Sequence, residues 1–119
     1  MATAVKRKLS GSTDGKAIKI VQTATAGDTI HTAVAGTTAG TFDEIWLWAY
    51  NGHTANVVLT IEFGGATVPD QNIVVTIPFK EGLFPVVCGL ILQNAMVVKA
   101  FAAVTNVITL SGFVNSITD

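Results

Sequence analysis

Apolar and polar residues alternate with a period of two along most of the chain, and no segment sustains the 3.6-residue repeat of an amphipathic helix. The alternating runs are rich in Val, Ile, Thr and aromatic residues and are separated by Gly, Asn, Asp and Pro. This pattern predicts strands over approximately Lys16–Thr23, Thr29–Val34, Phe42–Tyr50, Asn56–Phe63, Asn72–Pro78, Phe84–Gln93, Met96–Ala103 and Val107–Ile117. Alternation also assigns faces. Ile45, Leu47 and Ala49 share one side of the third strand, and Trp46, Trp48 and Tyr50 share the other. Val57, Leu59, Ile61 and Phe63 oppose Val58, Thr60 and Glu62 in the next, and Ile73, Val75 and Ile77 continue the pattern. Ile108, Leu110, Gly112 and Val114 oppose Val107, Thr109, Ser111 and Phe113 in the last.

The connections point to antiparallel pairing. Asn51-Gly52 is a strong hairpin dipeptide, Gly64-Gly65 and Val68–Asn72 form a polar corner, and Gln93-Asn94 and Thr105-Asn106 mark tight turns. None of these links is long enough for a crossover helix. With both faces of several strands apolar, the expected fold is all-β: one antiparallel β-sandwich or jelly roll of about eight strands. It is expected to occupy residues 16–119, behind a flexible basic N-terminal arm, residues 1–15. The Thr/Ala/Gly-rich segment 23–41 reads as small-residue strands plus a loop, with a loop that orders against a neighbouring subunit as the functional reading.

Composition adds a second expectation. At 119 residues the chain suits one domain, and a 50% hydrophobic content excludes disorder. Only 13% of residues are charged, too few to cover the large surface of so small a domain, which favours assembly with a partner. The net charge of −1 hides a segregation: residues 1–19 carry +4 and the remainder −5. The uncharged stretches 82–98 and 100–118 approach the length of a membrane span, but their β-branched, period-two character reads as buried strands. No apolar run follows Lys6-Arg7-Lys8 as a secretory leader would require, so no membrane association is expected.

Candidate chemistry is sparse. Cys88 is the single cysteine, so neither an internal disulfide nor a thiolate metal site is available, and no metal or cofactor is expected. Its apolar setting, Val86-Val-Cys-Gly-Leu90, reads as core. Ser10, Ser12, Ser111 and Ser116 sit in no nucleophile motif, and His31 and His53 read as ordinary surface or satisfied histidines. Asp43 and Glu44 are strand neighbours pointing to opposite faces, so they cannot act as a dyad; they mark the exposed start of the third strand. No phosphate loop is present, and no catalytic residue is expected.

Two groups are candidate partner contacts. Lys6, Arg7 and Lys8 read first as a solvated terminus, with an arm docking on an acidic neighbour as the functional reading; the acidic body opposes a nucleic-acid footprint. Trp46, Trp48 and Tyr50 form an aromatic stripe suited to a subunit contact or to a carbohydrate platform, and with no acid or amide read on the same strand face, packing is the favoured reading.

The runs Phe42-Asp-Glu-Ile-Trp-Leu-Trp-Ala-Tyr-Asn51 and Val58-Leu-Thr-Ile-Glu-Phe-Gly-Gly65, with Val97–Ala103 and Asn106–Asn115, resemble small structural proteins of tailed-bacteriophage virions. The resemblance covers roughly residues 42–117 in texture and strand order. It implies a capsid decoration (cement) protein: a non-enzymatic homo-oligomer, a trimer, that binds the major capsid protein at the virion surface and stabilises the shell. The alternative expectation is a carbohydrate- or receptor-binding module of a phage tail.

Overall fold

In a computed structural model, residues 2–119 are described and contain no helix. Nine strands form: β1 (Thr3–Lys8), β2 (Ile18–Lys19), β3 (Asp28–Thr32), β4 (Phe42–Asn51), β5 (Val57–Phe63), β6 (Asn72–Ile77), β7 (Phe84–Leu92), β8 (Val97–Ala102) and β9 (Ile108–Thr118). They build two antiparallel sheets. The first runs β1-β9-β4-β7, with the short β2 also on β9, and the second runs β3-β8-β5-β6.

The pairing has a simple logic. β1 pairs with β9, β3 with β8, β4 with β7 and β5 with β6, nested like the rungs of one long hairpin whose tip is the β5–β6 turn. Rolling that hairpin across itself adds the β4–β9 and β5–β8 contacts. The result is a jelly roll, an all-β sandwich as expected from the alternation. Its core is the inward row of each strand: Ile45, Leu47 and Ala49 face Leu59, Ile61, Val98 and Ala100 across the sandwich, closed by Ile20, Ile108, Leu110 and Val114, all buried.

Rolling also corrects the turn reading. β4 and β5 lie in different sheets, so Asn51-Gly52 does not close a hairpin; it carries the chain from one sheet to the other. The Asn51 side chain is fully buried in the arch, donating to the carbonyls of Ala55 (3.0 Å) and Ile77 (2.9 Å) while its Oδ1 accepts from His53 N (2.8 Å). The Gln93-Asn94 and Thr105-Asn106 turns cross between sheets in the same way. The polar corner after β5 is the one true hairpin of the set.

The expected flexible arm is also corrected. Thr3–Lys8 is an edge strand, in register with β9 from Thr3↔Thr118 to Lys8↔Phe113. Every residue of β1 is exposed, so nothing apolar in it announced a strand; on its inner side the backbone ladder to β9 holds it. Its outer side is an open sheet edge that carries a run of three cations, Lys6, Arg7 and Lys8.

The Thr/Ala/Gly-rich segment does not lie free. Its first part crosses the outer face of the second sheet, where Thr25 Oγ1 and Gly27 N (2.7 Å) donate to Glu62. Glu62, on the row opposite Leu59 and Ile61, is thereby 2% exposed, and Thr60 on the same row is 7% exposed.

Candidate functional site

β4 runs through the middle of the first sheet and divides its side chains cleanly between core and outer face. On the outer face Trp46 and Trp48 stand two residues apart, and Phe113 of β9 sits opposite Trp46 in register. The three rings are nearly parallel: Trp46–Trp48 centroids lie 6.3 Å apart at 18°, Trp46–Phe113 6.2 Å at 13°, and Trp48–Phe113 6.0 Å at 27°. Rings at the corners of such a triangle cannot all be piled face on face. They lie offset, as an aromatic floor. Tyr50 continues the row, 36% exposed.

Polar groups border this floor. Glu44 lies two residues before Trp46 on the same face, and its Oε1 accepts from Trp46 Nε1 (2.8 Å) and from Asn115 Nδ2 of β9 (3.0 Å). The sequence expectation that the stripe lacked an acid or amide beside it is thereby corrected. Glu44 follows from the same period-two count that grouped the tryptophans, whereas Asn115 and Phe113 required the β4–β9 register. At the other side of β9, Lys6 of β1 places its Nζ 4.2 Å from the Phe113 centroid, a cation–π contact. One of the three arm cations thus joins the aromatic group.

The floor depends on a bulge in β7. The register slips between Ile45↔Leu90 and Trp46↔Cys88, leaving Gly89 unpaired at φ +82°. A Cβ there would come 3.1 Å from Trp46 Cζ2, so the missing side chain makes room for the indole. The same slip turns Cys88 outward. It is exposed on the edge strand, opposite Trp46, and not the core residue its apolar neighbours suggested.

The indole and amide donors hold the Glu44 carboxyl below the usual carboxylate value, the Trp46 bond contributing most and the Asn115 bond next, against a smaller opposing effect of desolvation. Its folded value being depressed, the group contributes stability that is fully present above the ordinary value of about 4 and lost as the pH falls through the lower folded value. The groups facing it are Asn115 of β9 and Ile91 of β7, neither of which titrates. Tryptophan emission is therefore expected to change along an acid titration centred below the ordinary carboxylate range. Glu44→Gln removes that transition; an unchanged titration in the variant contradicts the assignment.

A second polar group lies between the sheets. Asp43 and His31, 4% exposed each, meet through Oδ2 and Nε2 at 2.7 Å. Ser10 N donates to His31 Nδ1 (3.0 Å), and Val34 N donates to Asp43 Oδ2 (3.2 Å). A backbone N–H can only donate, so Nδ1 carries the lone pair and the ring proton sits on Nε2, directed at Asp43. Asp43 is thus no exposed strand start; it is buried as the inward neighbour of Glu44. The opposite-face reading of these two acids holds: one enters the sandwich and the other borders the aromatic floor. Both His31 nitrogens are engaged, and Ser10 Oγ accepts from Thr32 N (2.7 Å). No imidazole lone pair is left to activate a serine in this group. Among the described residues no group of three or more His, Cys, Asp or Glu side chains converges as a metal site would require.

Comparison with known proteins identifies no matching family model, no matching curated protein and no matching solved structure.

Proposed function

We propose that this chain is a structural subunit of a tailed-bacteriophage virion, a capsid decoration protein that binds the major capsid protein as a homotrimer and stabilises the shell without catalysing a reaction. The observation that carries the reading is the asymmetry of the sandwich edges. At one end of the first sheet β1 exposes Lys6, Arg7 and Lys8; at the other, β7 has no charged residue and exposes Leu90 and Ile91 at 47% and 54%. β6, the corresponding edge of the second sheet, is also uncharged and exposes Val74 at 63%. Monomeric sandwiches blunt their edges with charge, bulges or cover. Here the charge is confined to one side, and β7 has only its two register slips and Pro85.

The topology supports a closed ring. Successive antiparallel pairings make β7 antiparallel to β1, so identically oriented neighbours bring the β7 edge of one copy beside the β1 edge of the next in antiparallel sense. Such head-to-tail contacts close when a rotation relates the copies. On a capsid the same modest contacts repeat many times, and avidity replaces single-site affinity. The jelly roll is compatible with this role and with others, since a fold hosts many functions.

The test is native mass in solution followed by co-sedimentation with capsids of the phage whose genome carries the gene. The chain is expected to be trimeric and to saturate the capsids at a fixed copy number. Ile91→Lys, which charges the β7 edge, is expected to lower both trimer content and occupancy roughly tenfold or more while leaving the circular dichroism unchanged. Full occupancy by that variant, or a monomer that never sediments with capsids, overturns the reading. Because β1 belongs to the sheet, the cations are tested by substitution and not by deletion.

A further inference from the structure

We propose that the cleft between β1 and β3, the edge strands of the two sheets on that side, binds a free α-amino acid, its carboxylate held by Arg7 and its ammonium by Asp43. The inference goes beyond the lattice role and does not rest on it. The cleft lies on the inward side of β1 and not along its open edge.

The cleft holds about 470 Å³, within the range of small-molecule sites, and its walls are largely polar: Arg7, Ser10, His31, Thr32, Asp43 and Ser116 line it. Two opposite charges reach it from different strands. Residues directly opposite in a ladder share a face, so the pairs Asp43↔Ser116 and Arg7↔Val114 put both side chains on the inward side of the first sheet. β9 separates the two strands, and Val5, two positions before Arg7, is the β1 residue in line with Asp43 through Ser116. At the usual strand spacing and rise the two Cα positions therefore lie about 12 Å apart. A long arginine and a short aspartate narrow that distance to the span of one small dipolar ligand. Among the described residues no ion pair closes the gap, the one ion pair being His31–Asp43.

The state of Asp43 points to a ligand. The residue is 4% exposed, and both of its donors, His31 Nε2 (2.7 Å) and Val34 N (3.2 Å), converge on Oδ2. Oδ1 is buried without a hydrogen-bond partner. A carboxylate oxygen shut away from water with no donor is costly, and an ammonium entering the cleft supplies the donor it lacks. Arg7 provides the complementary end. The Lys8 ammonium donates to the carbonyl of Ser12 (3.1 Å), which leaves the Arg7 guanidinium as the cation that meets a ligand. Its planar fork pairs with a carboxylate through two parallel bonds. A simple anion satisfies Arg7 but is repelled by Asp43, and a simple cation does the reverse. A zwitterion meets both ends at once. Thr32 and Ser116 on the walls favour an amino acid with a short polar side chain.

The full chain, labelled with nitrogen-15, is to be titrated with each of the twenty standard amino acids by amide resonance shifts, and hits are to be measured by calorimetry. Saturable binding of at least one amino acid at or below about 1 mM is expected, with the Ser10 and Val34 amides among the signals that move, since both donate into the His31–Asp43 group. Arg7→Gln should weaken binding roughly tenfold or more, Arg7→Lys less, and Lys19→Ala, which removes a cation on β2, should leave it unchanged. Blocking either end of the ligand, as the N-acetyl derivative or the carboxamide, should weaken it to a similar degree. Asp43→Asn, checked for native circular dichroism, should weaken the amino acid more than its N-acetyl derivative. Absence of binding for all twenty, binding that Arg7→Gln does not alter, or equal binding of the N-acetyl derivative overturns the proposal. Capsid coating that persists when amino-acid binding fails leaves the lattice reading standing, so the two fail separately.

Discussion

His31→Ala is expected to lower stability by about 3–4 kcal/mol, among the largest single-residue effects in this fold. The histidine links three pieces of chain that no sheet joins directly: Ser10 after β1, β3 in one sheet and Asp43 of β4 in the other. Without the ring, Ser10 N loses its acceptor, and the Asp43 carboxylate keeps only Val34 N on Oδ2. Its Oδ1 is already buried without a hydrogen-bond partner, so the remaining charge is poorly compensated. Denaturant unfolding measures the loss. Asp43→Asn, which keeps an oxygen to accept from Nε2–H, should cost less than half as much. A double-mutant cycle should return a coupling of about 1–3 kcal/mol between the two positions. A His31→Ala loss below about 1 kcal/mol would show that the pair is not a structural clasp.

Gly112→Ala is expected to destabilise by about 3 kcal/mol, lowering the melting temperature by roughly 10–15 °C. Gly112 lies mid-strand in β9, opposite Leu47 of β4. A methyl group at this position would overlap the Trp46 carbonyl oxygen and stand 3.1 Å from Leu47 Cα. The obstacle is backbone, which has no rotamer to yield, so the two central strands must part or shift. Because Trp46 and Phe113 face each other across the same pair, their emission and near-ultraviolet dichroism should change with the stability. A fully stable Gly112→Ala protein with native near-ultraviolet signal would mean that β4 and β9 do not approach as described.

Legibility in the sequence follows the range of the interaction concerned. All eight expected strands are present, because a buried inner row leaves a period-two trace in each. Ile45, Leu47 and Ala49 are fully buried, opposite Trp46, Trp48 and Tyr50, as the alternation required. β2 shrinks to Ile18–Lys19, since only two of its residues find ladder partners on β9. β1 was missed for the complementary reason: with every side chain exposed, it leaves no hydrophobic trace at all. Cys88 was misplaced because a one-residue bulge at Gly89 shifts the facing of the edge strand, and a bulge is invisible to a residue count. The burial of Glu62 leaves no local trace, because its cover comes from residues 25–27, far away along the chain.

The aromatic group shows the same division. Trp46, Trp48, Tyr50 and Glu44 share a face by local alternation alone. Phe113, Asn115 and Lys6 arrive from two other strands, through pairings that no local pattern specifies.

By itself the sequence determined the class of the fold, eight of its nine strands and, in β4, β5 and β9, which side turns inward, because side-chain period is a local property of the backbone. Only the tertiary structure decided which strands pair, that Asn51-Gly52 bridges two sheets, that Lys6, Arg7 and Lys8 lie on an edge strand, and that Asp43 meets His31. Those outcomes depend on how one long hairpin rolls to bury both inner faces at once. That rolling is a property of the whole core and is written in no single segment.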